Sequence, residues 1–547
     1  MKKLTLIIAL FAALTSVGCY EDKSTLATDP IDGVEFNVTD EEKVIRIGYK
    51  DQLDIVPNIT KGGKSDLSGL EYEWAINLIA GWTSSDFVVV GDEKELHTVL
   101  DNPVNSEYYN LRLLVTDTMH DNLQYSFLYR IYVEPSIKDG LLVCDTKDGA
   151  TSDFHIVMND KLTGFYSGAE KIYRNLLSDN AIAYNGLIKS LMPIGSGYHP
   201  GNNYVYAIDQ NNKLVGYNSS TFDAAITMEK AFIYAPQEVS TIVRIGQEVC
   251  AFTDLGVFLS NYVNFDSSYY GWFSSTMSGY NIDNGVYAAT SLHGIGADNS
   301  INSLGAWFCN EQDAFISADM AFYPAPGLSM FENGDHNLAN KSAVAGGMSV
   351  DEVTPSFLLK DDITGEYTIY VLARKVEEQG DYDDDWNWIV SAPAVPAHIK
   401  AAYTVPAEGK ALLDKAVAID FASLESIIYV ATAEGVYTIN FAGTTPTVNT
   451  VSQFSAQGET ITGVQLYQQG SYVAYQENAY NPDNAEIGGW EKLAWNNRAV
   501  IVTTQKGDEG VVYVVPMVQF GTGNLDAANA LRYDGFGRIL AVTTTCY

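Results

Sequence analysis

The sequence predicts an all-β protein, with an N-terminal β-sandwich followed by a β-propeller of about seven or eight blades. Three observations support this prediction: short apolar stretches that alternate at the strand period, turn residues between them, and an internal repeat in the C-terminal part. The chain has 547 residues, of which 46% are hydrophobic. It is too long for one ordinary domain, and its composition is typical of a folded protein.

The N-terminal end has the pattern of a secretory signal. A basic start is followed by the apolar run Leu4–Leu14 and by small residues up to Gly18. The run is too short to cross a bilayer, which needs about 20 residues. We therefore expect residues 1–18 to be removed as a lipoprotein signal peptide, which leaves Cys19 to carry a lipid anchor. The alternative is a plain secretory signal with an incidental cysteine.

Residues 19–30 are polar and are expected to form a lipidated tether. Residues 31–136 then show short strands with turn residues between them, which is typical of an immunoglobulin-like β-sandwich. The stretch "EYEWAI" alternates and places Trp74 in the core of a sheet. The stretches "YYNLRLLVTDT" and "YSFLYRIYVEP" predict two further strands, the second closed by Pro135.

Three of these stretches carry a family resemblance. The order "GCYEDK", "EYEWAI", "YNLRLLVTDT" resembles the PKD-like family of lipoproteins of Bacteroidota, which are encoded beside outer-membrane importers of the starch-utilisation (Sus) type. The Gly-Asp-Gly turn of typical PKD domains is missing after Trp74. The resemblance implies a lipid-anchored protein of the outer membrane, exposed at the cell surface, in which Glu21 and Asp22 act as an export signal.

The same resemblance implies the function and the partners. It predicts a non-catalytic accessory component of a Sus-type nutrient uptake system, which binds a glycan or peptide ligand or docks to the importer. The expected partners are the Sus-type importer and its companion lipoprotein. A surface propeller that acts as a glycoside hydrolase or lyase, and a purely structural subunit, are the alternatives.

Residues 138–547 contain the internal repeat. The segments Thr253–Asn261 and Thr432–Asn440 both read Thr-x-x-Gly-Val-aromatic-x-x-Asn, and each follows a predicted strand. Gly256 and Gly435 are 179 residues apart, which predicts four repeats of about 45 residues. Each glycine fits a hairpin turn that needs a positive φ. Two unrelated sandwiches are the alternative to a propeller.

Three further features support a propeller. Hairpins are predicted at Asn203–Asn218 and at Ala499–Val515. The stretch "GLLVCD" (Gly140–Asp145) is expected to pair with "ILAVTTTCY" (Ile539–Tyr547). This pairing would close the ring and protect the edges of the strands.

Charge and cysteine content narrow the functional class. The net charge is −36, so we expect no nucleic-acid partner, because such binding needs a basic surface. The five cysteines are widely spaced without a Cys-x-x-Cys motif, which argues against a zinc knuckle. Apart from Cys19 they are expected to be buried thiols. A disulfide, for example between Cys144 and Cys546, stays open.

No sequence motif indicates catalysis. The seven histidines show no metal-ligand spacing, and no Gly-x-Ser-x-Gly motif occurs. The chain has 68 Asp and Glu residues, so carboxylate pairs would meet by chance in any propeller. We therefore nominate no catalytic residue and expect a protein that is not an enzyme.

The stretch "GDYDDDWNW" is a candidate calcium loop. Asp381, Asp383 and Asp385 have the alternating spacing that can gather oxygen atoms around calcium. Trp386 stands where an EF-hand loop needs glycine, so a solvated acidic loop is the alternative. We expect no other cofactor.

Aromatic residues in polar segments are the candidate ligand-binding residues. They are Trp386 and Trp388 in the acidic stretch, and Tyr269, Tyr270 and Trp272 in "SSYYGWF". Sugars and peptides dock on aromatic faces through apolar contact and hydrogen bonds at the rim. The alternative is a role in strands, where tyrosine is common.

The anchor can be tested directly. We expect Cys19→Ala to release the protein from the membrane fraction, because the lipid is the only membrane attachment that the sequence predicts. Fractionation and labelling with radioactive palmitate measure the change. A Cys19→Ala protein that still sediments with membranes and carries label would contradict the anchor.

Overall fold

The structure is a computed structural model of the chain. It describes residues 32–81, 86–105, 107–137, 140–163, 169–179, 183–194, 204–232, 234–245, 248–261, 273, 275–277, 288–290, 303–320, 327–350, 354–376, 378–382, 386, 388–468, 495–519 and 521–545. The predicted signal, tether, Cys19, Glu21 and Asp22 lie outside these residues. The chain divides into two compact units, Met1–Ser136 and Ile137–Tyr547. Within the described residues, no helix has the length and apolar character needed to cross a membrane.

The first unit contains one large sheet and two small ones. The large sheet has the strand order β2-β9-β8-β5-β6, with β2 parallel to β9 and the other pairs antiparallel; the small sheets are β1-β4 and β3-β7. The strands are β1 (Val34–Phe36), β2 (Val44–Gly48), β3 (Gln52–Ile55), β4 (Ile59–Lys61), β5 (Leu70–Asn77), β6 (Phe87–Gly91), β7 (Leu96–Val99), β8 (Tyr109–Asp117) and β9 (Leu123–Glu134).

One core holds the first unit together. Trp74 is completely buried in β5, as predicted, and its ring packs against Tyr129 with the ring centroids 5.7 Å apart. Its indole N–H donates to the Glu93 carbonyl at 2.9 Å, so the buried polar atom is satisfied. Leu53 and Leu96 of the small sheets are buried in the same core. The three strands predicted from sequence in this unit correspond to β5, β8 and β9.

The second unit contains seven antiparallel sheets among its described residues. Their strands, in chain order, are β10 (Leu141–Thr146), β11 (Thr151–Met158), β12 (Lys171–Tyr173) and β13 (Tyr184–Asn185) with β41 (Arg538–Thr544); β14 (Ile188–Ile194), β15 (Tyr204–Asp209), β16 (Leu214–Asn218) and β17 (Ala224–Thr227); β18 (Val239–Ile245), β19 (Glu248–Thr253), β20 (Gly256–Asn261) and β21 (Ser275–Met277); β22 (Ala288–Thr290), β23 (Ser303–Cys309), β24 (Ala314–Met320) and β25 (Gly327–Met330); β26 (Lys341–Ser349), β27 (Thr354–Asp361), β28 (Tyr367–Ala373) and β31 (His398–Thr404); β32 (Ala416–Phe421), β33 (Ile427–Thr432), β34 (Val436–Asn440) and β35 (Thr447–Phe454); and β36 (Thr460–Leu466), β37 (Ala499–Lys506), β38 (Glu509–Gln519), β39 (Asn524–Leu525) and β40 (Leu531–Phe536).

A two-stranded sheet, two short α-helices and two 3₁₀ turns (Asn310–Gln312 and Ala527–Asn529) complete the described part of this unit. A separate two-stranded sheet, β29 (Gln379–Tyr382) and β30 (Trp388–Ala392), is inserted between β28 and β31. The described helices are α1 (Met228–Ala231) and α2 (Ala407–Leu413), and each lies in the connection from one large sheet to the next. The two predicted hairpins are confirmed as β15–β16 and β37–β38.

Consecutive sheets pack face to face. The first strand of each sheet contacts the first strand of the next, from β14 through β18, β22, β26 and β32 to β36. Aromatic pairs cross these interfaces: the ring centroids lie 5.2 Å apart for Phe252 and Trp307, and 5.0 Å apart for Phe315 and Phe357. Each sheet is therefore covered by its neighbours, which explains why strands such as β10 and β33 are buried along their whole length.

The first and last strands of the second unit close the series of sheets. β41 pairs antiparallel with β10, in a register that runs from Leu141 opposite Thr544 to Thr146 opposite Arg538. β41 also contacts β14 of the second sheet. This closure confirms the predicted pairing, and a closed succession of antiparallel sheets is the arrangement of a β-propeller.

The internal repeat lies in the third and sixth sheets, so its predicted period is wrong. The two segments form the turns β19–β20 and β33–β34, which are three sheets apart rather than four. The spacing is thus about 60 residues per sheet, because connections such as the one that contains β29 and β30 lengthen the repeat. In both turns the threonine hydroxyl donates to the glycine carbonyl, at 2.9 Å from Thr253 and 3.4 Å from Thr432.

The two repeat glycines serve different purposes. Gly256 has a φ of 115°, as the prediction of a positive φ requires. Gly435 does not have a positive φ; a Cβ atom there would instead collide with the Ser452 side chain. The prediction is therefore correct for Gly256 and wrong for Gly435, where close packing explains the glycine.

The remaining cysteines are buried where the structure describes them. Cys144, Cys250 and Cys309 lie as thiols inside their sheets, and burial raises the pKa of the Cys144 thiol well above its usual value. Cys546 lies outside the described residues. The expectation of buried thiols is confirmed for these three residues.

A buried acid–histidine pair lies beside the closing strand. His155 Nε2 is 3.0 Å from Asp145 Oδ1, and both side chains are almost completely buried. The Asn175 N–H donates to His155 Nδ1 at 3.2 Å, so we assign the ring proton to Nε2, facing the carboxylate. The other Asp145 oxygen accepts the Gly537 N–H at the start of the turn into β41. Asp145 therefore ties β10 to the residues that lead into the closing strand.

We expect Asp145→Ala to lower the free energy of unfolding by about 1–3 kcal/mol, the usual cost of a buried polar group that loses its partner. The substitution removes the acceptor of the buried Gly537 N–H and the carboxylate that faces His155. Chemical denaturation followed by circular dichroism measures the loss. Asp160→Ala, at an exposed carboxylate, is the matched control and should change the value little.

The same variant has a pH signature. Burial raises the pKa of Asp145, but the His155 contact and the Gly537 N–H outweigh it, so the pKa of this carboxyl is lowered. The stabilisation is therefore complete above the unfolded pKa of about 4 and is lost as the pH falls below it. The difference between wild type and Asp145→Ala should shrink on acidification. A difference that is the same at pH 3 and pH 7 would contradict this account.

Candidate functional site

The connections of the second unit lie on two different faces. The turns between the second and third strands of each sheet form one face, which we call the "turn face". The connections from the first to the second strand and from the third to the fourth strand form the other face, which we call the "connection face". In the first sheet β41 counts as the first strand. Contacts between neighbouring sheets support the division, since the Tyr467 hydroxyl donates to the Leu162 carbonyl at 3.2 Å within the connection face. On the turn face the Val239 N–H donates to the Asn212 carbonyl at 2.9 Å.

The turn face is built from tight turns that close on themselves. In five of the seven sheets, an Asp or Thr at the start of the turn accepts backbone N–H groups two to four residues ahead. Backbone N–H groups also lower the pKa of Asp148 and of Asp361 to about 2, with the Thr151 and Thr364 amides as the largest causes. These side chains are thus already hydrogen-bonded to the backbone of their own turns. The five residues are Asp148, Asp209, Thr253, Asp361 and Thr432.

The connection face carries the long connections. The strands β28 and β31 are joined by residues 374–397, and β36 and β37 are joined by residues 467–498. Loops on a rigid scaffold are the usual place for binding residues. Exposed side chains on this face are therefore the candidates for ligand binding.

The inserted hairpin is the best-defined feature of this face. We call residues 376–395, with strands β29 and β30, "the ribbon". Its register runs from Gln379 opposite Ala392 to Tyr382 opposite Trp388. Val376 and Val395 exchange two backbone hydrogen bonds of 2.8 and 2.9 Å at its base. The ribbon is therefore a defined element, although it is not paired with the sheet that carries it.

Two tryptophans lie on the ribbon, as the sequence suggested. The Trp386 side chain is 80% exposed and its residue has a φ of 62°, whereas Trp388 is 44% exposed at the start of β30. The Trp388 indole N–H donates to the Glu378 carboxylate at 2.9 Å. Its ring also covers Gly380, where a Cβ atom would lie 2.6 Å from it. One ring is thus held in place while the other is open to solvent.

The predicted calcium loop is described only in part. Asp381 is exposed in β29 and pairs with Ile389, while Asp383 and Asp385 lie outside the described residues. Within the part of the chain that the structure describes, no group of three His, Cys, Asp or Glu side chains could hold a metal ion. A calcium site at these three aspartates stays a prediction.

The second aromatic cluster falls, in sequence, between β20 and β21. Tyr269, Tyr270 and Trp272 are outside the described residues. They belong to the third-to-fourth connection of the third sheet, between β20 and β21, and the ribbon occupies the same connection of the fifth sheet. Phe273, the last residue of the aromatic stretch, is buried and stacks on Phe232 with ring centroids 4.7 Å apart.

A buried polar cluster on the connection face was not predicted. The Ser423 hydroxyl donates to Asn497 Oδ1 at 3.0 Å, and the Gln468 amide donates to the same oxygen at 3.1 Å. Nearby, the Glu425 carboxylate accepts the Gly521 N–H, and burial raises the pKa of Glu425. No sequence motif indicates this cluster, because its members are single polar residues in separate connections.

The cluster joins neighbouring sheets rather than forming an open site. The backbone carbonyl of Glu425, in the sixth sheet, also accepts the N–H of Val350 from the fifth sheet at 3.3 Å. Together with the Gly521 contact from the seventh sheet, this bond connects three neighbouring sheets. Asp420 is a further buried carboxyl of the sixth sheet. Burial raises its pKa to about 6, and it accepts the N–H groups of Leu466 and Phe421 at 2.7 and 2.8 Å. Both acids are thus engaged by backbone donors.

A known protein family matches the part of the chain that contains the first unit. The model of the PKD-like family matches residues 19–179, which confirms the resemblance for this part of the chain. The match extends past the first unit to β10, β11 and β12. No curated protein is significantly similar to the chain.

The solved structures that match the chain are only distantly similar to it. A quinoprotein alcohol dehydrogenase-like protein from Bacteroides thetaiotaomicron is 12% identical, with 93% of this chain and 96% of that chain covered and a TM-score of 0.29. Apo AztD from Citrobacter koseri is 8% identical, with 87% and 98% covered and a TM-score of 0.35. BamB from Moraxella catarrhalis is 10% identical, with 75% and 88% covered and a TM-score of 0.28. At this level of similarity, their functions do not transfer to this chain.

The order of the ribbon can be tested at Gly380. We expect Gly380→Val to displace the Trp388 ring and to loosen the ribbon by about 1–3 kcal/mol, the usual cost of overpacking. Limited proteolysis should then cut the ribbon several-fold faster, while the melting temperature of the whole protein stays the same. Gly443→Ala is the control, because the nearest atom to its Cβ would be 3.7 Å away. Equal cleavage rates in wild type and Gly380→Val would contradict the packing of Trp388 on Gly380.

Proposed function

We propose that this protein is a surface-exposed outer-membrane lipoprotein, a non-catalytic accessory component of a Sus-type nutrient uptake system, whose connection face binds a glycan or peptide ligand. The observation that carries the proposal is the exposure of Trp386 and Trp388 on an ordered ribbon. Exposed tryptophan is uncommon on a solvated surface, and aromatic faces are the usual platforms for sugars and peptides.

Trp388 is suited to binding because its orientation is set in advance. The Glu378 hydrogen bond and the contact with Gly380 restrict its ring before any ligand arrives. Binding therefore loses less side-chain entropy than it would with a freely rotating ring. The neighbouring Ile389 and Val390 are also exposed, so a ligand would find apolar surface on the ribbon as well as aromatic faces. If calcium binds at Asp381, Asp383 and Asp385, it would order the tip of the same ribbon.

We assign different roles to the two units. We assign the first unit as a β-sandwich that acts as a spacer, since its small sheets and its large sheet bury residues in a common core. We assign the seven sheets of the second unit as seven blades, since each has at least four antiparallel strands and the series closes through β41. The predicted anchor at Cys19 and the export signal at Glu21 and Asp22 would hold this body at the outer face of the membrane, next to the importer and its companion lipoprotein.

A non-catalytic role is favoured by the state of the buried acids. Asp145, Asp420 and Glu425 all accept backbone N–H groups from neighbouring segments. A catalytic acid or base must instead reach the proton that it transfers. We therefore assign these three carboxyls to the packing of the sheets rather than to catalysis.

Ligand binding can be measured by calorimetric titration against a panel of glycans and oligopeptides. We expect micromolar to millimolar affinity, and a loss of about 2- to 12-fold in Trp386→Ala and in Trp388→Ala, because one aromatic contact contributes about 0.5–1.5 kcal/mol. Tyr234→Ala is the matched control, an aromatic residue that is 76% exposed in a sheet-to-sheet connection on the side of the turn face. Circular dichroism checks that each variant is folded.

Other outcomes would favour the other functions. Turnover of a glycan by the purified protein would replace the proposal with a surface hydrolase or lyase. A protein that binds no ligand but co-purifies with an importer would be a structural subunit. A loss of affinity in Tyr234→Ala as large as in the tryptophan variants would place the ligand away from the ribbon.

A further inference from the structure

The strand β6 of the first unit is an unprotected sheet edge. Among the described residues it pairs with β5 on one side and with no strand on the other. Its sequence, "FVVVG", contains no charge and no proline. Proteins usually protect such an edge with lysine, proline or a bulge, because unpaired backbone groups can accept a foreign strand. A bulge at Val90 is present, but it lies at one end and leaves Phe87 to Val89 in regular pairing.

Apolar side chains surround this edge and are open to solvent. Val89 is 58% exposed and Leu78 is 56% exposed, and Val88 and Ile79 are exposed to a similar degree. They line the same edge on both faces of the sheet: Val88 pairs with Ile76 and shares its face with Leu78, whose N–H donates to the Asp86 carbonyl at 3.3 Å, while Val89 lies on the opposite face. A cluster of exposed aliphatic side chains beside open backbone groups is typical of an interaction site.

The residues at both ends of β6 are acidic. Asp86 precedes the strand, Asp92 and Glu93 follow it, and all three are exposed. An occupant of this edge would therefore meet apolar surface in the middle and negative charge at each end. Its own sequence should offer the complement, with alternating apolar residues between basic ones.

We propose that β6 is a docking edge at which an extended segment of a partner protein adds as a sixth strand, with apolar residues at its centre and Lys or Arg at both ends. Backbone hydrogen bonds to the open side of β6 would supply part of the affinity, and contacts with Val88, Val89 and Leu78 would supply the rest. This surface belongs to the first unit and does not depend on the ligand site proposed for the ribbon.

A second copy of this chain does not fit the edge. Two copies related by a two-fold axis would pair their β6 strands antiparallel, which brings Asp86 of one near Asp92 of the other at both ends. The net charge of −36 adds repulsion between whole molecules. The acidic ends thus act against self-association and in favour of a basic partner.

The experiment uses two synthetic peptides and the purified full chain. Each peptide has a central stretch of alternating valine and threonine; one is flanked by lysines and the other by glutamates. We expect fluorescence anisotropy at low salt to show at least tenfold tighter binding of the lysine-flanked peptide. In Asp86→Lys/Asp92→Lys the preference should reverse, because the ends of the edge change sign. The preference should weaken as salt is added.

The control carries the same change of charge elsewhere on the first unit. Glu35→Lys/Glu41→Lys should keep the wild-type preference for the lysine-flanked peptide. A reversal in this control, no binding of either peptide to wild type, or equal binding of both peptides would overturn the proposal. So would dimers in sedimentation velocity that disappear in Val89→Lys, since these would show a second copy at the edge. Binding of ligand at the ribbon is unaffected by any of these results.

Discussion

The pairing of β10 with β41 is the interaction on which the second unit depends. Without it the first sheet would lose its innermost strand, and both the first and the last sheet would expose apolar faces that are now covered. Backbone hydrogen bonds could form in more than one alignment of β41 along β10, so side chains must determine the register. Asp145 adds a fixed point, because one carboxylate reaches both His155 in β11 and the Gly537 amide that leads into β41. The closing strand is thus fixed by hydrogen bonds and by a buried polar contact at the same place.

Closure also determines where function can reside. Once each sheet is covered by its neighbours, inner strands such as β33 have no free surface, and the outer strands and the two faces remain exposed. The turn face is made of short turns whose polar side chains are already bound to the backbone, as with Asp148 and Asp361. The longest connections, residues 374–397 and 467–498, leave from the other face, and there the ribbon can extend without disturbing any sheet. The candidate site is therefore a consequence of how the strands are connected, and the core can stay the same while that face changes.

The sequence predicted those features that depend on local pattern. Alternation identified β5, β8 and β9, and the buried Trp74 followed from it. The closing pair was predictable because both segments are apolar strands at the two ends of the repeat region. The number of sheets between the repeats was not, since insertions change the spacing without leaving a periodic signal. Gly435 shows a second limit: a glycine kept for contact with Ser452 looks the same in sequence as one kept for its φ.

The candidate site was predictable only in outline. The polar context of Trp386 and Trp388 indicated that they are exposed, but the support of Trp388 by Glu378 and Gly380 is a matter of hairpin register. The cluster of Ser423, Glu425 and Asn497 brings together connections that are distant in sequence, so no short motif could indicate it.

The closing strand has a consequence for how the protein is made. β10 is among the earliest strands of its unit to be synthesised, and β41 is the last strand that the structure describes. The inner edge of the first sheet therefore stays unpaired until β41 has been translated. Contacts between such distant segments form slowly, because a long loop must close before any of them is gained. The order of synthesis thus makes the closing strand the last step in completing the first sheet, after the other strands of that sheet are already present.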